Sequence, residues 1–237
     1  MKAKILVTRK ISDSAENFLR KNFDVTLNLD DKPIPYEELK ELANQYDGFI
    51  STSFDKFDKN FFSNLNGKLK IIGHVGVGYD NIDIKSAKEK KIIVTNTPNV
   101  LNDAVAEITL LLILATSRRI SEAYNLVKSN NWKNKRPDIT KLMVGNEVTG
   151  KTLGIIGMGR IGQIVADRAR AFKMKIIYHN RNNLSKDLEK DAIYYSDLSS
   201  MLPKCDFVSL HTPATPETKK IINSEMLKLF PKHTVFI

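Results

Sequence analysis

Apolar residues in this chain fall into short runs, separated by polar segments in which apolar positions return at helical spacing. The runs "AKILVT", "DVTLNL", "DGFIST", "LKIIGHV" and "IIVTNT" occupy the first hundred positions. Each is short and rich in β-branched residues, so each is predicted to be a strand. Helices are predicted between them at roughly Ser12–Asn22, Tyr36–Gln45, Lys59–Leu65 and Ile84–Lys90, the last with Asp83 as its N-cap. Strand–helix alternation of this kind predicts a parallel sheet covered on both faces. A longer helix is predicted from about Asp103 to Arg118, with its continuation to Lys128 left open. Its centre, "AEITLLLILA", is apolar all round, which suits a helix buried between domains or against another subunit. A polar stretch follows, and then the rhythm restarts with "TLGIIG", "KIIYHN", "AIYY", "FVSLH" and "TVFI". The chain is therefore expected to form two α/β domains, residues 1–101 and 102–237.

Composition narrows the classes of function. The 237 residues are 42% hydrophobic and 27% charged, the balance of a globular chain that buries a core. The longest apolar run, "ITLLLILA", is too short to cross a bilayer. The start, "MKAKILVTRK", has no cleavage site of small residues and reads as a first strand. A cytoplasmic protein without membrane partners is expected. The single cysteine, Cys205, excludes an internal disulfide and a multi-thiolate metal site, and no metal is expected. The net charge of +10 comes mostly from lysines scattered beside asparagines, with no long basic run or aromatic-interleaved patch. That pattern favours anionic small molecules over nucleic acid as partners.

The most specific stretch is "TLGIIGMGRIGQIVADRARAF". Gly157-x-Gly159-x-x-Gly162 follows a predicted strand and opens a predicted helix whose apolar stripe is Ile161, Val165, Ala169 and Phe172. In that setting Gly157 makes the tight turn, Gly159 lets the backbone approach a pyrophosphate, and Gly162 lets helix and strand pack closely. The free N–H groups at the helix start then hold the anion. The second strand, "IIYHNRNN", places His179, Asn180 and Arg181 where an NAD-binding chain carries a carboxylate for the ribose hydroxyl. With no carboxylate there and Arg181 able to fork onto a phosphate, NADP is the preferred cofactor and NAD the alternative. His211, Thr212 and Pro213 end the fourth strand of this half, at the carboxyl edge where open α/β sheets bind ligands. They should flank the cofactor, with Thr218 closing the loop.

Five blocks, "VGVGYDNID", "VTNTPNVLNDAVAE", "GKTLGIIGMGRIGQIVADRA", "YHNR" and "VSLHTPATPETKKIIN", resemble the D-isomer-specific 2-hydroxyacid dehydrogenase family, in its glyoxylate/hydroxypyruvate reductase branch. The resemblance covers essentially the whole chain. It implies two Rossmann-like domains with parallel sheets, a flavodoxin-like substrate domain followed by a dinucleotide-binding domain. It implies that the N–H groups of Val77 and Gly78 receive the substrate carboxylate; small residues just past a strand form such an anion nest, although an ordinary tight turn capped by Asp80 and Asn81 has the same sequence. It also implies that Val105 lines the nicotinamide pocket and that Arg160 and Ile161 offer N–H groups to the pyrophosphate. Trp132 could reach a neighbouring subunit's site or be an ordinary core or loop residue, and a homodimer is the family habit.

The implied activity is NAD(P)H-dependent reduction of a small 2-keto acid to the D-2-hydroxy acid. Such chemistry needs a cation at the carboxylate and keto oxygen, an acid to protonate that oxygen, and a carboxylate to raise the acid's pKa. The family supplies an arginine, a histidine and a glutamate in blocks that follow a strand resembling "TVFI". All three are expected beyond Ile237, so the chain is read as cut short, with the sixth strand of its second sheet absent and no catalytic residue among those present. Of the four histidines, His211 alone is well placed for proton transfer, yet no carboxylate is visibly set to orient it, whereas His74, His179 and His233 lie elsewhere. The alternative function is a non-enzymatic dinucleotide sensor of the corepressor type.

Overall fold

The computed structural model describes residues 1–130 and 144–237. Its contacts divide the chain into two compact units, Met1–Val100 and Leu101–Ile237. The sequence expectation about Trp132 lies outside the described residues.

The first unit runs β1 (Lys4–Val7), α1 (Asp13–Asn22), β2 (Asp24–Leu27), α2 (Tyr36–Leu42), β3 (Gly48–Thr52), α3 (Lys59–Ser63), β4 (Ile71–Val75), α4 (Ile84–Glu89) and β5 (Ile93–Thr95). Its five strands are all parallel, in the order β2-β1-β3-β4-β5. The core beneath the sheet is aromatic. Phe57 meets Phe61 edge-on at 4.9 Å between ring centroids, Phe61 meets Phe62 at 5.2 Å, and Phe49, Leu39 and Ile72 close around them. Asp83 caps its helix as the sequence signals, accepting from the Ser86 N–H, and Asp58 caps another, accepting from the Phe61 N–H at 3.0 Å.

The second unit begins with α5 (Asn102–Ser117) and α6 (Ile120–Lys128). After these come β6 (Thr152–Ile156), α7 (Arg160–Ala171), β7 (Lys175–His179), β8 (Ile193–Tyr194), β9 (Phe207–Leu210) and β10 (Val235–Phe236), with short helices in the later connections. The sheet order, β10-β9-β6-β7-β8, is again all parallel. Read from β6 outward it follows the 3-2-1-4-5 winding of a mononucleotide-binding half plus its neighbours. Leu153, Ile155, Val165, Ala169 and Tyr178 pack one face, and Ile156, Ile177, Met201 and Val208 pack the other. Burial on both faces explains why these strands read as unbroken apolar runs.

Helix α5 ends at Ser117, close to the predicted Arg118, and the continuation toward Lys128 is a separate helix, because the chain turns at Arg119, whose φ is 54°. The Ser117 hydroxyl bonds back to the Ile113 carbonyl at 2.6 Å, and the Ser117 carbonyl accepts the Asn146 N–H at 2.8 Å. That carbonyl is thus satisfied from outside the helix, and a left-handed residue ends it. One expectation is corrected: α5 is not enclosed all round. Ala106, Thr109, Ile113 and Ser117 are buried on one side, while Ile108, Leu111 and Leu112 are exposed on the other. No helix among the described residues is long and apolar enough to cross a membrane.

Asp58 carries more than its cap. The Tyr36 hydroxyl donates to it at 2.5 Å, and the Lys56 ammonium lies 2.8 Å away, which together with the cap holds its carboxyl far below the usual range. Asp58→Ala removes all three partners and is expected to lower stability by about 1–2 kcal/mol in urea unfolding, whereas Asp58→Asn, which keeps an accepting oxygen, loses less.

Candidate dinucleotide and anion sites

β6 delivers the chain to Gly157 at the carboxyl edge of the second sheet. Gly157 has φ 93°, and its N–H donates to the His179 carbonyl at 2.9 Å. A Cβ there would stand 2.8 Å from the His211 carbonyl carbon and 2.9 Å from the Thr212 side chain. The turn therefore passes directly beneath the end of β9, which only glycine permits. Gly162 lies one helical turn further on, where a Cβ would stand 2.6 Å from the Gly157 carbonyl oxygen. The first turn of α7 is thus seated against the turn that precedes it. Gly159 is the N-cap and brings no capping side chain, and the first turn holds no acidic residue. Its leading N–H groups, those of Arg160, Ile161 and Gly162 among them, have no acceptor within the helix and present the positive end of the dipole.

A cavity of about 570 Å³ opens at this edge. It brings together Gly157, Gly159, His179, Asn180, Arg181, His211, Thr212, Pro213 and Thr218 from the sequence reading. Arg160, Ile161 and Gly162 sit in the adjoining helix turn and are not part of its wall, and neither is Val105 on α5. The side chains have settled roles. Asn180 Oδ1 accepts the Met158 N–H at 2.7 Å, so this residue, read from the sequence as a ribose contact, braces the glycine turn. His179 Nδ1 lies 2.9 Å from the Tyr195 carbonyl, which fixes the ring. Thr218 Oγ1 accepts the Thr215 N–H at 2.9 Å and donates to the Pro213 carbonyl at 2.5 Å, closing the loop as expected.

The arrangement fits a dinucleotide: a helix N-terminus free of carboxylates, an open face at Gly159 and a cavity of suitable size at the sheet's carboxyl edge. Leu184, Thr215, Glu217 and Ile221 also line the cavity and were not singled out from the sequence. The spacing of Thr215 and Thr218 was the one local signal that this loop folds back on itself.

The histidines separate by environment. His211 Nε2 is buried with no hydrogen-bond partner, and burial lowers its pKa. It is therefore neutral near pH 7, without a carboxylate to orient it. The histidine–carboxylate pair that does occur, His233 with Asp206 at 3.1 Å, lies at the amino ends of β9 and β10, away from the cavity. Among the described residues no cluster of three His, Cys, Asp or Glu side chains could hold a metal ion.

In the first unit, Val77 and Gly78 follow β4. The loop is tied by its carbonyls: Asn96 donates to the Val77 oxygen at 2.9 Å, and the Thr97 N–H donates to the Gly76 oxygen at 2.9 Å. Neither the Val77 nor the Gly78 N–H donates to a described residue. Asn81 is directed elsewhere, donating to the Asp55 carbonyl at 2.7 Å. A loop with its carbonyls satisfied and adjacent N–H groups free can accept an anion. His74 lies beneath it, with Nδ1 3.3 Å from Ser51 Oγ and Nε2 beside Gly76.

Gly162→Ala is expected to push the first turn of α7 off the Gly157 carbonyl, weakening dinucleotide binding at least tenfold while the fold persists, as read by titration and circular dichroism. For His211 the folded pKa is depressed, so its stabilising contribution is complete above the unfolded value near 6.5 and is lost as pH falls. The melting temperature is expected to drop between pH 7 and pH 5, and to drop less in His211→Gln.

Comparison with known proteins agrees with this geometry. Residues 110–237 match the family model described as D-isomer specific 2-hydroxyacid dehydrogenase, NAD binding domain. The chain is 42% identical over 238 residues to a glyoxylate reductase of Thermococcus litoralis, covering all of this chain and 72% of that protein. Among solved structures, one described as a putative D-isomer specific 2-hydroxyacid dehydrogenase, NAD-binding, from Polaromonas sp. JS6 66 superposes with a TM-score of 0.89 at 36% identity, covering 100% of this chain and 73% of that one. A glyoxylate reductase from Paecilomyes thermophila gives 0.85 at 31% identity, covering 99% and 72%. With the glycine turn, the helix N-terminus and the doubly wound sheet in place, the chain belongs to the D-isomer-specific 2-hydroxyacid dehydrogenase family.

Proposed function

We propose that this protein reduces a small 2-keto acid of the glyoxylate or hydroxypyruvate type to the D-2-hydroxy acid, using NADPH in preference to NADH. The observation that carries the reading is the cavity at the carboxyl edge of the second sheet, where the glycine turn, the start of α7 and Arg181 converge. The similarity to glyoxylate reductases supports the substrate class.

Each residue then has a task. The N–H groups of Arg160, Ile161 and Gly162 bind the pyrophosphate, and Gly157 and Gly159 keep the backbone low enough for contact. Asn180 and His179 hold the walls, and Arg181 attracts a 2′-phosphate. His211, Thr212, Pro213 and Thr218 flank the bound cofactor, and Val105 borders its nicotinamide end. The bound dinucleotide supplies the hydride. In the first unit, residues 1–101 in this assignment, the Val77 and Gly78 N–H groups receive the substrate carboxylate. Proton delivery is assigned to none of the described histidines, since none that faces the cavity carries a carboxylate partner. The exposed apolar face of α5, with Ile108, Leu111 and Leu112, supports a homodimer, and a cytoplasmic location is part of the same proposal.

Fluorescence titration of the 237-residue chain with NADPH and NADH tests the reading. Micromolar NADPH binding, with Arg181→Ala weakening NADPH about tenfold and NADH little, is the expected result. Binding of neither dinucleotide overturns it. Consumption of NADPH on adding glyoxylate, followed at 340 nm, tests the substrate class separately.

A further inference from the structure

The sequence places no carboxylate at the end of β7, yet the fold brings one to the same cavity from another element. Glu217, on the loop after β9, and Arg181, on the loop after β7, line the one cavity. Thr218 pins the Glu217 loop to Thr215 and Pro213, so the carboxylate is carried on an ordered segment. No hydrogen bond or ion pair joins Arg181 to Glu217, although the Arg181 charge is felt at the Glu217 carboxylate.

We propose that Glu217 is a specificity-determining residue, sharing the cavity with Arg181 and limiting how strongly the site prefers a 2′-phosphorylated dinucleotide. The proposal rests on the dinucleotide reading above. A 2′-phosphate carries close to two negative charges and is attracted to Arg181 but repelled by a carboxylate lining the same cavity. A 2′-hydroxyl carries no charge and can donate to that carboxylate. The two side chains therefore pull the cofactor preference in opposite directions. Their balance makes the site permissive, whereas Arg181 alone would make it strict. Glu217 is held ionised by the Thr215 hydroxyl first, then by its own N–H and the Arg181 guanidinium, so the repulsive charge is present at neutral pH.

The test is the pair of dissociation constants for NADPH and NADH, measured on the full chain for wild type, Glu217→Gln and Glu217→Asp. Glu217→Gln is expected to tighten NADPH roughly five- to tenfold while NADH stays within about twofold, as removal of one nearby charge in a partly screened cleft requires. Glu217→Asp, which keeps the charge, is expected to retain the wild-type ratio. If wild type binds both dinucleotides and Glu217→Gln leaves their ratio unchanged, this inference is wrong while the dinucleotide reading stands. If Glu217→Gln weakens both equally, Glu217 serves only the loop and the inference is again wrong. If wild type binds neither, the dinucleotide reading itself fails and takes this inference with it.

Discussion

At the carboxyl edge of the second sheet three stretches of backbone meet closer than side chains would allow. The turn at Gly157 lies under the end of β9, and the start of α7 lies against the turn, both at separations a single methyl group would violate. The shape of the cavity in the second unit depends on these two approaches. They set the angle at which α7 leaves the sheet, and hence where its unsatisfied N–H groups point. They also bring His211 and Thr212 over the turn, which makes the site a cavity instead of an open edge. The Asn180 side chain adds a third constraint by bonding the Met158 N–H, so the turn is held from β7 as well as from β9.

The loop after β4 in the first unit is built differently. It has no helix of useful length behind it, so the groups it could offer an anion are those its own hydrogen bonds leave unused. Asn96 and Thr97 consume the carbonyls, and the N–H groups of Val77 and Gly78 are left over. An aromatic core around Phe57, Phe61 and Phe62 supports the sheet from which that loop projects. In both units a rigid parallel sheet places its binding groups at strand ends, where the backbone is free to point at a ligand.

All ten predicted strands are present, because short β-branched runs between helical segments have few other ways to bury themselves. The caps Asp58 and Asp83 differ in how they were reached: Asp83 was legible in the sequence beside a clear helical pattern, whereas Asp58 sits before a five-residue helix with little periodicity to mark it. The break at Arg119 was not legible. The Ser117 carbonyl just before it accepts from Asn146, distant in sequence, and nothing local in "ATSRRIS" marks the left-handed residue.

The sequence by itself determined the two α/β halves, the glycine turn and the position of Arg181, since these depend on spacing along one strand, one turn and one helix. Only the tertiary structure decided that Asn180 braces the glycine turn, that the His211 Nε2 atom is buried without a hydrogen-bond partner, and that Glu217 reaches the cavity wall. The physical reason is common to the three. Each depends on how the loops after β6, β7 and β9 meet at one sheet edge, and parallel crossovers place residues together that are far apart in the chain.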